Sequence, residues 1–107
     1  MGNIKLMSQP FGAVKRIHFI GIGGAGMSGI AAVLLSLHYQ VTGSDLKETE
    51  VTERLTQMGA KITFAHKASN VTGSDVVGDS AAVPLDNPEI VEANKRSIPV
   101  IARTEIL

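Results

Sequence analysis

With 107 residues, 44% of them apolar and 4% aromatic, the chain is long enough for one hydrophobic core and too short for several. Ten basic residues balance ten acidic ones, so no overall charge steers the chain to nucleic acid or to an anionic membrane, and any anion site has to be local. Cysteine is absent, which excludes disulfides and thiolate metal sites and fits a reducing compartment.

Residues 1–14 mix Gly, Pro, Ser, Gln and Lys without a usable period and read as a flexible lead-in to a single domain over 15–107. Met1-Gly2 would suit a myristoylation signal, but Leu6 stands where that signal needs Ser or Thr. Residues 17–22 form a short apolar run of the kind a buried parallel strand uses. Gly21, Gly23 and Gly26 follow in the spacing G-x-G-x-x-G, and residues 27–37 then carry apolar side chains at Met27, Ile30, Ala31 and Leu34, a helical stripe. No charged residue falls between 17 and 37, yet five glycines among these residues and only about three helical turns argue against a membrane span.

A second strand is expected over 40–45, ending in the polar pair Ser44-Asp45, and a second helix over 49–58. Thr49 caps that helix, Val51, Leu55 and Met58 form its inward stripe, and Gly59 stands just past its end. A third strand spans 60–64, followed by His66 and a polar loop over 67–74; no second ligand cluster makes His66 a metal site. Residues 75–77 open a fourth strand that Gly78-Asp79 should weaken, so that it either ends early or turns Asp79 into a wet crevice. Asn87, Pro88 and Glu89 begin a helix that runs to about Arg96, with Glu89 on the positive end of its dipole and Ile90, Val91 and Ala93 inward. Residues 99–101 give a fifth strand, and 103–107 begin another helix.

Strands alternating with helices predict an α/β fold, Rossmann-like, with a mostly parallel sheet of about five strands and helices on both faces. Ligands in such sheets bind beyond the carboxyl ends of the strands. The turn from the first strand into its helix exposes amide N–H groups and the positive end of the helix dipole, and glycine lets a diphosphate approach the backbone. Asp45 lies 19 positions after Gly26, near where dinucleotide sites keep a carboxylate for a ribose hydroxyl; its blander role is to end the strand. The residues alone therefore stop at a nucleotide with a diphosphate, NAD by default. No G-x-x-x-x-G-K-[ST] loop for ATP occurs, and no acid–base pair or nucleophile constellation is recognisable, so no catalytic residue is assigned.

The stretches IHFIGIGGAGMSGIA, YQVTGSDL, VTERLTQMGAKI, SAAVPLDNPEIVEA and IPVIARTEIL resemble the amino-terminal domain of the UDP-N-acetylmuramate–L-alanine ligases of the Mur ligase family, from about Lys15 to Leu107. Murein-peptide ligases have a similar first domain but a different glycine loop. The resemblance implies a cytoplasmic bacterial enzyme of peptidoglycan synthesis, an ATP-dependent carboxylate–amine ligase whose first domain binds the UDP part of UDP-N-acetylmuramate. By motif, Gly21, Gly23, Gly24, Ala25, Gly26 and Met27 should cradle the diphosphate, Ser44 and Asp45 should lie near the uridine, and His66, Ser80 and Ala81 should close the pocket. ATP and Mg2+ would bind through central and carboxyl-terminal domains that these residues do not include, so the chain alone is expected to be inactive and without a cofactor of its own.

The chain departs from the family in having Gly78-Asp79-Ser80-Ala81 for Val-Val-Ser-Ser, Ala32 for Glu, His38 for Gly and Ala65 for Gly. A carboxylate added beside a diphosphate costs Coulomb energy, and the lost serine removes a donor. Two other readings stay open: an NAD-binding domain of an oxidoreductase or regulator, and an association domain that binds no nucleotide. A homodimer is compatible with any of the three.

Overall fold

The computed structural model describes residues 14–79 and 83–102. The lead-in before residue 14 and the helix expected over 103–107 lie outside these. Five strands, β1 (Arg16–Ile20), β2 (Gln40–Ser44), β3 (Lys61–Thr63), β4 (Val76–Asp79) and β5 (Val100–Ala102), form one sheet in the order β3-β2-β1-β4-β5. Every pairing is parallel. Helices α1 (Ala25–Ser36), α2 (Glu50–Gln57) and α3 (Pro88–Lys95) complete the α/β fold, with a 3-10 turn at Ala68–Val71 before β4. No helix among the described residues is long and apolar enough to cross a membrane.

Side-chain alternation along β1 separates two cores. Ile17 and Phe19 point to one face, where they meet Met27, Ile30, Ala31 and Leu34 of α1 and Leu55 of α2. Ile20 points to the other, against Val71, Val77 and the α3 residues Ile90 and Ala93. His18 lies between them in sequence and shares the Ile20 face, fully buried. At the start of β1, the amides of Lys15 and Arg16 both donate to Asp75 Oδ2 (2.9 and 3.0 Å), which ties the entry of β1 to that of β4.

The structure corrects several expectations. Helix α1 begins two residues earlier than its apolar stripe suggests, because the glycine turn closes quickly enough to start it at Ala25. Strand β4 does not break at Gly78: that residue is buried and pairs with Phe19 on one side and Ile101 on the other, and Asp79 pairs with Ala102. Ladder bonds on both sides outweigh the glycine's poor strand propensity. In α2 Leu55 is buried and Val51 packs half-buried against the same core, as expected, but Thr52 is buried too and Met58 is exposed; in α3 Val91 is exposed and Glu89 is buried.

Candidate functional site

The site is built at the carboxyl ends of β1 and β2. The amides of Gly21 and Ile22 both donate to the Ser44 carbonyl (2.8 and 3.0 Å), and Gly24 N–H donates to the Gly21 carbonyl, which closes a tight turn. Gly24 then stands at the N-cap of α1 with no side-chain cap and no acidic residue in the first turn. The first amide to bond back inside the helix is that of Ser28, to the Gly24 carbonyl. Ala25, Gly26 and Met27 therefore keep the first-turn N–H groups for which a helix has no internal acceptor, with the positive end of the dipole behind them. The Met27 side chain itself is core; only its amide belongs to the turn.

An open depression of about 380 Å³ lies in front of this turn, lined by Gly21, Gly23, Gly24, Asp45, Leu46, Lys47 and Thr49. Asp45 Oδ2 accepts the Gly23 N–H at 2.7 Å and Oδ1 accepts that of Leu46 at 2.8 Å, so the carboxylate braces the turn from the β2 side. A Cβ on Gly23 would stand 2.7 Å from Asp45 Oδ2, too close for any side chain. Lys47, which the sequence reading passed over, brings a positive charge to the same depression. Two further depressions line the opposite, amino ends of β1 and β2 and hold none of the expected site residues.

Ser44, the neighbour of Asp45, points to the opposite face of β2 and is fully buried. It belongs to a polar cluster centred on Glu89 of α3. Glu89 Oε1 accepts from His18 Nε2 (2.5 Å) and from the Ser44 hydroxyl (2.9 Å). Glu89 Oε2 accepts from His66 Nδ1 (3.1 Å) and Asn70 Nδ2 (3.1 Å). His66 Nδ1 is also 2.9 Å from Ser44 Oγ, and His18 Nδ1 is 2.7 Å from Thr42 Oγ1. Burial alone would push the Glu89 carboxyl up; the bond and attraction from His18, with the donors on Asn70 and Ser44, outweigh it and hold the group below the usual carboxylate range. Ser44 and His66 are thus brought together as expected, but the hydroxyl is spent in the interior. Ser80 and Ala81 lie outside the described residues.

His18, Asn70 and Glu89 were missed by sequence reasoning. The signal for Glu89 was its place four residues before Ala93, on the inward stripe of α3; its acidity beside Pro88 suggested a dipole contact instead. Among the described residues no group of three His, Cys, Asp or Glu is placed to hold a metal.

The Mur ligase family, catalytic domain, matches residues 16–107. The chain belongs to the Mur ligase family. It is similar to UDP-N-acetylmuramate–L-alanine ligases from Geotalea daltonii, 59% identical over 97 residues, and Syntrophus aciditrophicus, 58% identical over 94 residues. Those matches take in 91% and 88% of this chain but 21% and 20% of the relatives, so this Mur ligase chain spans about a fifth of their length. Among solved structures, the Thermotoga maritima UDP-N-acetylmuramate-alanine ligase superposes with a TM-score of 0.79 at 43% identity, over 83% of this chain and 21% of that one. A Neisseria ligase acting on UDP-N-acetylmuramate and a tripeptide, L-alanyl-gamma-D-glutamyl-meso-diaminopimelate, gives 0.76 at 26% identity, over 85% and 29%. A Bacillus halodurans NAD-dependent epimerase/dehydratase, putative in its description, shares the fold alone at 19% identity (TM-score 0.62), over 82% and 50% of the two chains.

Proposed function

We propose that this Mur ligase chain is the nucleotide-binding module of a UDP-N-acetylmuramate–L-alanine ligase and holds the UDP part of UDP-N-acetylmuramate. The observation that carries the reading is the uncapped start of α1, where three first-turn amides lack an acceptor inside the helix, beside an open depression lined by Gly21, Gly23, Gly24, Asp45 and Lys47. A diphosphate supplies the missing acceptors; the dipole and Lys47 balance its charge. Asp45, already committed to Gly23 and Leu46, has lone pairs left for a ribose hydroxyl. The level of identity to alanine ligases, against 26% to the tripeptide ligase, favours the first over the second.

In such an enzyme ATP activates the muramate carboxylate for attack by the alanine amine, in the bacterial cytoplasm. These 107 residues hold neither an ATP loop of the G-x-x-x-x-G-K-[ST] type nor, among those described, a metal cluster, and do not fit ATP and Mg2+. We assign that chemistry to other parts of the enzyme: this module anchors and orients the substrate's nucleotide, and by itself is expected to form no product.

A backbone amide NMR titration tests the reading. UDP-N-acetylmuramate should shift residues 25–27, Asp45 and Lys47, and NAD should leave them in place. Shifts with NAD alone would overturn it.

A further inference from the structure

The cluster around Glu89 contains one histidine edge that the interior does not use. His66 turns Nδ1 inward to Ser44 and Glu89, while its side chain keeps 22% exposure, so the accessible part of the ring is the edge away from Nδ1. Its Nε2 has no hydrogen-bond partner among the described residues. The proton positions follow from the network. Glu89 is fully buried and surrounded by four donor groups, which suits an ionised carboxylate with both oxygens doubly satisfied. The Ser44 hydroxyl spends its proton on Glu89 Oε1, so His66 Nδ1 has to carry a proton to share between Ser44 Oγ and Glu89 Oε2; without it, lone pairs would face each other at both distances. Neutral His66 then holds a lone pair on Nε2.

We propose that Glu89 is a positioning residue for base recognition: it fixes His66 with its proton on Nδ1, so that the partly exposed ring offers Nε2 as an acceptor for the imide N–H of a uracil ring. The inference rests on the UDP reading above and deepens it. His66 is one side chain away from the glycine turn, because the same Ser44 that its ring touches accepts the Gly21 and Ile22 amides through its carbonyl. Asp45 supplies acceptors for sugar hydroxyls on the other face of β2, which leaves the base for the His66 side. Uracil carries a proton on the imide nitrogen where cytosine carries a lone pair, so an Nε2 acceptor selects uridine over cytidine nucleotides. The other arrangement, Nε2–H, would select the reverse.

The test uses the 107-residue chain at alkaline pH and reads the imidazole protons directly. Long-range proton–nitrogen NMR of the imidazole should find the proton on Nδ1. UDP should bind about tenfold or more tighter than CDP. Glu89→Gln removes the ionised acceptor that holds the proton on Nδ1, so the proton should shift toward Nε2 and the preference for UDP should collapse while the amide spectrum stays folded. A purely structural Glu89 would lower stability and leave the UDP-to-CDP ratio alone. Should that variant not fold, His66→Phe removes the acceptor directly and has to abolish the same preference. Equal affinity for UDP and CDP in the unaltered chain, or an unchanged ratio in the variants, overturns the inference and leaves the UDP reading intact. Binding of neither nucleotide overturns both.

Discussion

Glu89 gives up all hydration in the second position of α3, a place where an acidic side chain ordinarily faces water and the helix dipole. Taking a carboxylate out of water is tolerable only where donors replace the solvent, and here His18, Ser44, His66 and Asn70 all do so. A second residue-scale constraint is steric. Gly43 of β2 lies under Ile22, and a Cβ there would come within 2.5 Å of the Ile22 Cδ1 and 2.7 Å of its Cβ. Gly43→Ala should therefore destabilise the chain by about 1–3 kcal/mol, read as a lower denaturant midpoint, because Ile22 is fully buried and has nowhere to move. An unchanged midpoint would mean that the glycine turn yields more easily than its hydrogen bonds suggest.

At the scale of elements, the three helices end alike. Each closes with a pair of bonds in which the residue past the cap and the next one donate back into the last turn: His38 to Leu35 and Tyr39 to Leu34, Gly59 to Thr56 and Ala60 to Leu55, Ser97 to Asn94 and Ile98 to Ala93. This arrangement needs a left-handed residue just past the cap. Gly59 meets the need at φ 116°, but His38 (φ 72°) and Ser97 (φ 58°) take it with side chains, at a cost of about 1 kcal/mol each. His38 stands where the resemblance has glycine. His38→Gly should raise the thermal midpoint by about 1–3 °C, since relief of about 1 kcal/mol is partly offset by the freer unfolded chain. The helix starts were easier to read. Thr49 and Asn87 cap α2 and α3 as their side chains imply, although Thr49 exchanges bonds with Thr52, which no simple motif announces.

For the whole molecule, acid is the expected weakness. Asp75 is held below the usual carboxylate range by the backbone amides of Lys15 and then Arg16, and Glu89 by its donors against the pull of burial. A carboxyl whose folded-state value is depressed adds stability that is complete above its unfolded value, about 4, and disappears as pH falls through the folded value. Urea midpoints should therefore be level near neutrality and drop on acidification below that range. Asp75→Asn should flatten part of the drop, and a slope identical to that of the unaltered chain would remove Asp75 from the account. The same two carboxylates show how far-apart segments are joined: Asp75 fastens β1 to β4, and Glu89 reaches His18 across 71 positions.

The α/β alternation, the element order, the inward face of α1 and the glycine turn at the end of β1 were legible along the chain, because each depends on periodicity or on backbone demands within a few residues. The sequence also carried the family resemblance, since the motif run G-I-G-G-A-G-M-S-G-I is local. The folded chain was needed to see that β4 continues through Gly78, that Asp45 braces the turn and that Ser44 looks away from it. It alone joined His18, Ser44, His66, Asn70 and Glu89. Strand continuation is settled by neighbours on both sides, and a buried charge is settled by donors from four separate places in the chain; neither leaves a periodic trace along the sequence.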